Sequence, residues 1–132
     1  MKTLIAEDDF TSRKLLQSIL SAYGRCDLAE DGQEAVEAVR RSLAEDYPYD
    51  LLCLDIMMPK MDGNDALVKI RELERQKGVT PSKEVKVIMT TALGDPKNVV
   101  KSLYRGGATA YCVKPIAKQA LLEQLRAMGL IE

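Results

Sequence analysis

Leu51-Leu52-Cys53-Leu54-Asp55, followed by Ile56-Met57-Met58-Pro59-Lys60-Met61-Asp62-Gly63, is the stretch that decides the fold. An apolar run ending in a single carboxylate, then a turn bearing proline and glycine, predicts a strand buried on both faces. Its last residue, Asp55, emerges at the C-terminal end of that strand. Open α/β sheets bind their ligands at this edge.

Upstream, Lys2 to Ala6 is a short apolar run that meets Glu7-Asp8-Asp9, a strand ending in carboxylates. Leu15, Leu16, Ile19, Leu20 and Tyr23 then recur at helical spacing until Gly24 stops the pattern. Arg25 to Ala29 reads as a second strand, and Asp31 as the N-cap of a helix with Ala35, Val36, Val39 and Leu43 on one face. Downstream, Ala66, Leu67, Ile70 and Leu73 mark a third helix, with Lys69, Arg71, Glu72, Glu74 and Arg75 expected on its wet face.

Gly78 to Glu84 is a long loop, and Val85, Val87, Ile88 and Met89 form a β-branched strand ending in Thr90-Thr91. Asp95-Pro96 starts a fourth helix through Val99, Val100, Leu103 and Tyr104, closed by Gly106-Gly107. Ala110 to Val113 is a fifth strand ending at Lys114-Pro115, and Leu121, Leu122, Leu125 and Met128 line the last helix. Five strands alternating with five helices predict an α/β, doubly wound parallel sheet with helices on both faces, residues 1–132 forming one domain.

Composition sets the class. A chain of 132 residues with 46% apolar and 30% charged content suits one globular domain. A net charge of −1 with scattered lysines and arginines argues against a nucleic-acid face. The apolar start turns acidic at Glu7, too early for a signal sequence or a membrane span, so a cytoplasmic protein without membrane contact is expected. Cys26, Cys53 and Cys112 lack metal or redox spacing and read as small buried hydrophobes in a reducing compartment. The chain has no histidine, which removes the commonest metal ligand and general base.

The C-terminal ends of parallel strands share one rim. Asp8 and Asp9, Asp55, Thr90 or Thr91, and Lys114 are therefore expected together although far apart in sequence. Carboxylates about 4 Å apart repel by about 4 kcal/mol per pair at a surface-like dielectric, so a cation is expected among them. Oxygen donors alone favour a hard ion, Mg2+ or Mn2+. A carboxylate beside such an ion, a hydroxyl and an ammonium has the parts needed to accept a phosphoryl group. Singly each residue has a plainer explanation, Asp8 and Asp9 as helix caps, Asp55 as a turn residue and Lys114 as a solvated charge. Capping does not explain loaded residues at the same edge of four of the five strands.

Taken together, Glu7-Asp8-Asp9, Asp55 with Met58-Pro59-Lys60-Met61-Asp62-Gly63, Thr91-Ala92, Tyr111 and Lys114-Pro115 resemble the receiver domain of bacterial two-component response regulators. The likeness covers essentially the whole chain, close in size to the single-domain chemotaxis type. It implies a flavodoxin-like three-layer sandwich with strand order 2-1-3-4-5. It also implies Asp55 as phosphoacceptor, with Asp8, Asp9, Asp55 and the Met57 carbonyl holding Mg2+, for which Mn2+ substitutes. Thr91 and Lys114 would engage the phosphoryl group, Tyr111 would be a rotameric switch, and the Lys114-Pro115 peptide would be cis.

By the same likeness the chain is a signalling switch that catalyses its own phosphorylation and dephosphorylation. The phosphoryl group comes from a histidine kinase or histidine phosphotransfer protein. The fourth helix, fifth strand and fifth helix face a downstream protein. Apolar Met57 and Leu93, two residues after Asp55 and Thr91, imply a long-lived acyl phosphate. A haloacid-dehalogenase-like hydrolase would carry a second aspartate where Met57 stands, and a flavin carrier would need a hydroxyl-bearing phosphate loop where Glu7-Asp8-Asp9 stands. A phosphorylation-independent adaptor on the same fold remains a third class.

Overall fold

Every residue of the Leu51–Asp55 strand is buried, because the strand lies in the middle of the sheet with helices over both faces. The computed structural model describes residues 1–92 and 107–132. Its strands are β1 (Thr3–Ala6), β2 (Cys26–Ala29), β3 (Leu51–Asp55), β4 (Lys86–Thr91) and β5 (Ala110–Val113), all parallel, in the order β2-β1-β3-β4-β5. Among the described residues the helices are α1 (Phe10–Leu20), α2 (Gly32–Ala44), α3 (Gly63–Lys77) and α4 (Lys118–Ala127), the last being the fifth helix of the sequence reading. The expected helix after Asp95, and Leu93, lie outside the described residues.

Alternation along the strands sorts the core into two layers. Leu4, Leu52, Leu54, Val87 and Met89 pack with Val36 and Val39 of α2 and Leu67 and Ile70 of α3. Ile5, Leu51, Cys53, Ile88 and Cys112 pack with Leu16, Ile19 and Leu20 of α1 and Leu121, Leu122 and Leu125 of α4. Asp55, two residues beyond Cys53, belongs by parity to this second face. Three helices start on a capping aspartate: Asp9, Asp31 and Asp62 accept from the amides of Ser12, Glu34 and Asp65.

The structure departs from the periodicity in a few places. Leu15 lies at the margin of the α1 stripe and is exposed. Cys26 is half-buried where Cys53 and Cys112 are buried, and all three thiols are free. Val85 sits just ahead of β4, and the loop before it contains a 3₁₀ turn at Pro81–Lys83. The largest difference is on α3, where Arg71 and Glu74 are buried. The entrance to β4 and Gly107 close over that end of the helix. Arg71 Nη1 donates to Glu74 Oε1 at 2.7 Å and to the Val85 carbonyl at 3.0 Å, and Nη2 donates to the Gly107 carbonyl at 2.9 Å. Its Nε lies 3.3 Å from Glu84 Oε2, while the Val85 amide donates to Glu74 Oε2 at 2.7 Å. Among the described residues no helix is long and apolar enough to cross a membrane.

Candidate functional site

Sheet register determines which of the predicted residues meet. Ala6 pairs with Leu54, so the residue after β1, Glu7, comes level with Asp55. Asp55 pairs with Thr90 and Thr90 with Cys112, so Lys114, two residues past Cys112, projects on the same face. Lys114 Nζ accordingly lies 2.5 Å from Glu7 Oε1 and 3.3 Å from Asp55 Oδ2. Glu7 is fully buried and Asp55 nearly so, while Asp8 is exposed at the mouth. Carboxylate oxygens of Glu7, Asp8 and Asp55 all lie within 4.8 Å of one another.

Asp9 is placed differently. Its Oδ2 accepts from the Ser12 amide at 2.9 Å, the bond that caps α1 and holds its carboxyl below the ordinary aspartate range. The acid that joins Asp8 and Asp55 is therefore Glu7, which the sequence reading matched but assigned no role. Adjacent carboxylates are chemically alike. What separates them is strand parity, together with a serine three residues after Asp9 that marks it as the N-cap.

Thr91 is buried, and its Oγ1 makes a long 3.4 Å contact to the Ala92 carbonyl. Thr90 Oγ1 is buried without a hydrogen-bond partner among the described residues. Tyr111, on the edge strand β5, is 43% exposed. Met57 is exposed beside the site, and the Lys114-Pro115 peptide is cis.

The loop from 56 to 62 is held between two helix starts. The Ile56 amide donates to the Thr90 carbonyl at 3.1 Å and the Gly63 amide to the Ile56 carbonyl at 2.8 Å. A Cβ on Gly63 would stand 2.2 Å from the Asp55 carbonyl oxygen, and one on Gly32 would stand 2.2 Å from that of Met61. Only glycine permits either approach. Lys60, at φ 65°, reaches Asp31 at 3.6 Å.

Burial, reinforced by the Glu7 carboxyl through hydrogen bonding and charge, pushes Asp55 up to about 7, although Lys114 pulls it down. Burial also pulls Glu7 upward, but its bonds with Asp55 and Lys114 outweigh this and hold it below the usual glutamate range. For Lys114, burial works against the charged form, and Glu7 and Asp55 more than compensate, so its ammonium is held above the ordinary lysine range. Lys114 stands closer to Glu7 than to Asp55, which favours the ionised form of Glu7 over that of Asp55.

The donor set fits a hard divalent cation. Glu7 and Asp55 already aim oxygens at one shared positive charge, that of Lys114, and Asp8 offers a third carboxylate from the solvent side. The oxygens are all carboxylate, with no soft donor to favour zinc or copper.

The chain is similar to known proteins over nearly its whole length. The family described as response regulator receiver domain matches residues 3–126. The chemotaxis protein CheY of Treponema pallidum is 33% identical over 127 residues, covering 96% of this chain and 81% of that protein. Other relatives are longer, the chain spanning 44% of one and 6% of another. Among solved structures, the CheX-CheY-BeF3-Mg+2 complex from Borrelia burgdorferi is similar at a TM-score of 0.81 and 31% identity, over 99% of this chain and 90% of that one. The complex of the Saccharomyces cerevisiae histidine phosphotransfer protein Ypd1 with the receiver domain of Ssk1 is similar at 0.82 and 26% identity, over 99% and 92%.

Proposed function

The chain belongs to the response regulator receiver family, the phosphoacceptor of two-component phosphorelays, and on that premise we propose that Asp55 carries the phosphoryl group. The observation that supports this most is Lys114 bridging Glu7 and Asp55 with Asp8 alongside, a buried carboxylate already provided with a cation and a metal-binding rim. In this reading a donor phosphohistidine loses its N–P bond as an Asp55 oxygen forms the new O–P bond, and the electron pair leaves with the imidazole. The donor histidine comes from the partner, since this chain has none.

Glu7, Asp8 and Asp55, with the Met57 carbonyl, would hold Mg2+, and Asp9 would keep its place as helix cap. When bound, Mg2+ neutralises charge developing on the phosphoryl oxygens. Lys114 turns from the carboxylate pair to a phosphoryl oxygen, Thr91 donates its hydroxyl, and Tyr111 moves inward as the switch. The partners are a histidine kinase or phosphotransfer protein of the kind seen with Ssk1, and a downstream protein received by β5, α4 and the segment between β4 and β5. Residues 1–132 act in the cytoplasm as one receiver domain that catalyses its own phosphorylation and dephosphorylation.

Intact-mass spectrometry after treatment with acetyl phosphate and Mg2+ tests the reading. One phosphoryl mass should appear, and both Asp55→Asn and chelation of the metal should abolish it. Absence of added mass in the unaltered protein would establish the adaptor class instead. Met57 has no group to orient a water, so Met57→Asn should shorten the lifetime of the modified state.

A further inference from the structure

We infer that Arg13 is a positioning residue for the acidic turn: its buried guanidinium holds the backbone of Glu7 and Asp8 so that both carboxylates face Asp55. This inference rests on the metal-binding role proposed for Glu7 and Asp8. Arg13 stands in the first turn of α1, and its side chain runs back under the residues that precede the helix. Nη1 donates to the Glu7 carbonyl at 2.9 Å and lies 3.4 Å from the Asp8 carbonyl, while Nη2 lies 3.3 Å from Glu30 Oε1. One planar group thus ties together α1, the end of β1 and the turn after β2.

The choice of acceptor atoms carries the argument. Lys114 neutralises the site by contacting carboxylate oxygens of Glu7 and Asp55, the same oxygens a divalent cation needs. Arg13 brings a second positive charge to the same turn but directs it to the main-chain carbonyls there, so it does not compete for the carboxylate oxygens of Glu7 and Asp8. A guanidinium suits this task because its fork engages several acceptors at fixed geometry, which an ammonium cannot reproduce. Two further bonds depend on the turn it braces. The Glu7 amide donates to the Ala29 carbonyl at 3.0 Å, and the Asp9 amide donates to Glu7 Oε2 at 3.2 Å.

The test compares the unaltered chain with Arg13→Met and Arg13→Lys. Calorimetric titration with Mg2+ should show about tenfold weaker affinity for Arg13→Met and a partial recovery for Arg13→Lys, the size typical of losing a group that orients metal ligands. At saturating Mg2+, acetyl phosphate should label Arg13→Met within about twofold of the unaltered rate, because the reacting groups are untouched. Amide exchange in metal-free protein gives an independent readout. Exchange at Glu7 and Asp9 should quicken by about tenfold in Arg13→Met, with the α3 amide of Ala66 unchanged. Unchanged exchange at Glu7 and Asp9 in a folded variant would overturn the role of Arg13, as would exchange quickened equally at Ala66. Failure of the unaltered chain to bind Mg2+ would instead overturn the metal-binding reading, and exchange alone would then judge Arg13.

Discussion

The Arg71 network beneath α3 and the Lys114 network at the strand ends are each built from one cation among carboxylates, buried in the first and half-buried in the second, and they use their partners very differently. Arg71 meets two carbonyls and two carboxylates, and both oxygens of Glu74 are engaged, by the guanidinium and by the Val85 amide. Lys114 stands between Glu7 and Asp55 while Asp8 presses in from the solvent side, leaving negative charge in excess. The first arrangement is nearly saturated, only the buried Arg71 Nε making no hydrogen bond among the described residues although it lies 3.3 Å from Glu84 Oε2, and it has little to offer a ligand. The second is frustrated: burial first, and the Glu7 carboxyl after it, drive Asp55 up to about 7, and a site in that condition gains by taking up a divalent ion or a phosphoryl group.

The largest expected effect tests the saturated side. Arg71→Met should destabilise by about 3 to 5 kcal/mol, because it strands Glu74 as a buried charge, and replacing both partners by apolar residues should recover most of the loss. Denaturant unfolding measures this. A loss below about 1 kcal/mol would erase the contrast between the networks.

The frustrated side should reveal itself in pH dependence next. Metal-free Asp55 is held near 7 in the fold, against about 3.9 in an unfolded chain, so the folded state keeps this proton more tightly. Stability from this group is therefore complete below about pH 4, declines as pH rises and is gone above about 7. Glu7, held low, acts in the opposite sense and at more acid pH. Unfolding midpoints should fall from about pH 4 to about pH 7 for the unaltered chain and stay level for Asp55→Asn. A slope retained in Asp55→Asn would assign the strain elsewhere.

A third comparison sharpens which acids matter. Glu7→Gln should weaken Mg2+ binding at least about tenfold, or about 1.4 kcal/mol, whereas Asp9→Ser, which preserves a capping oxygen, should leave affinity within about twofold. Calorimetry with Mg2+ separates the two. The smallest effect concerns the threonines. Thr90→Val removes a hydroxyl without a partner among the described residues and should stabilise by about 1 kcal/mol, with acetyl-phosphate labelling unchanged. Slow labelling in Thr90→Val but not in Thr91→Val would exchange their roles.

Much of this is legible in the amino-acid sequence. The unbroken apolar run into Asp55 identifies β3, and alternation of strands with helices gives the parallel sheet that gathers Asp55, the acids and Lys114 on one rim. Strand order came from the family likeness, since periodicity says nothing about which strands neighbour one another. The role of Glu7 is not legible there, because charge alone does not rank Glu7, Asp8 and Asp9, and the ranking depends on register between β1 and β3. Arg71 and Glu74 read as an ordinary solvent-facing pair at i, i+3. What buries them, Val85 and Gly107, stands 14 and 36 residues from Arg71 in the chain, beyond the reach of a helical pattern.

Gly63 and Gly32 bring no charge, donor or nucleophile to the chemistry, yet each lies so close to a neighbouring carbonyl that a single added methyl would collide. Anyone transplanting this acidic pocket into another scaffold would therefore have to copy backbone clearances before copying acids. The least chemically interesting residues here set the tightest tolerance, and a screen that mutates only polar positions would never find them.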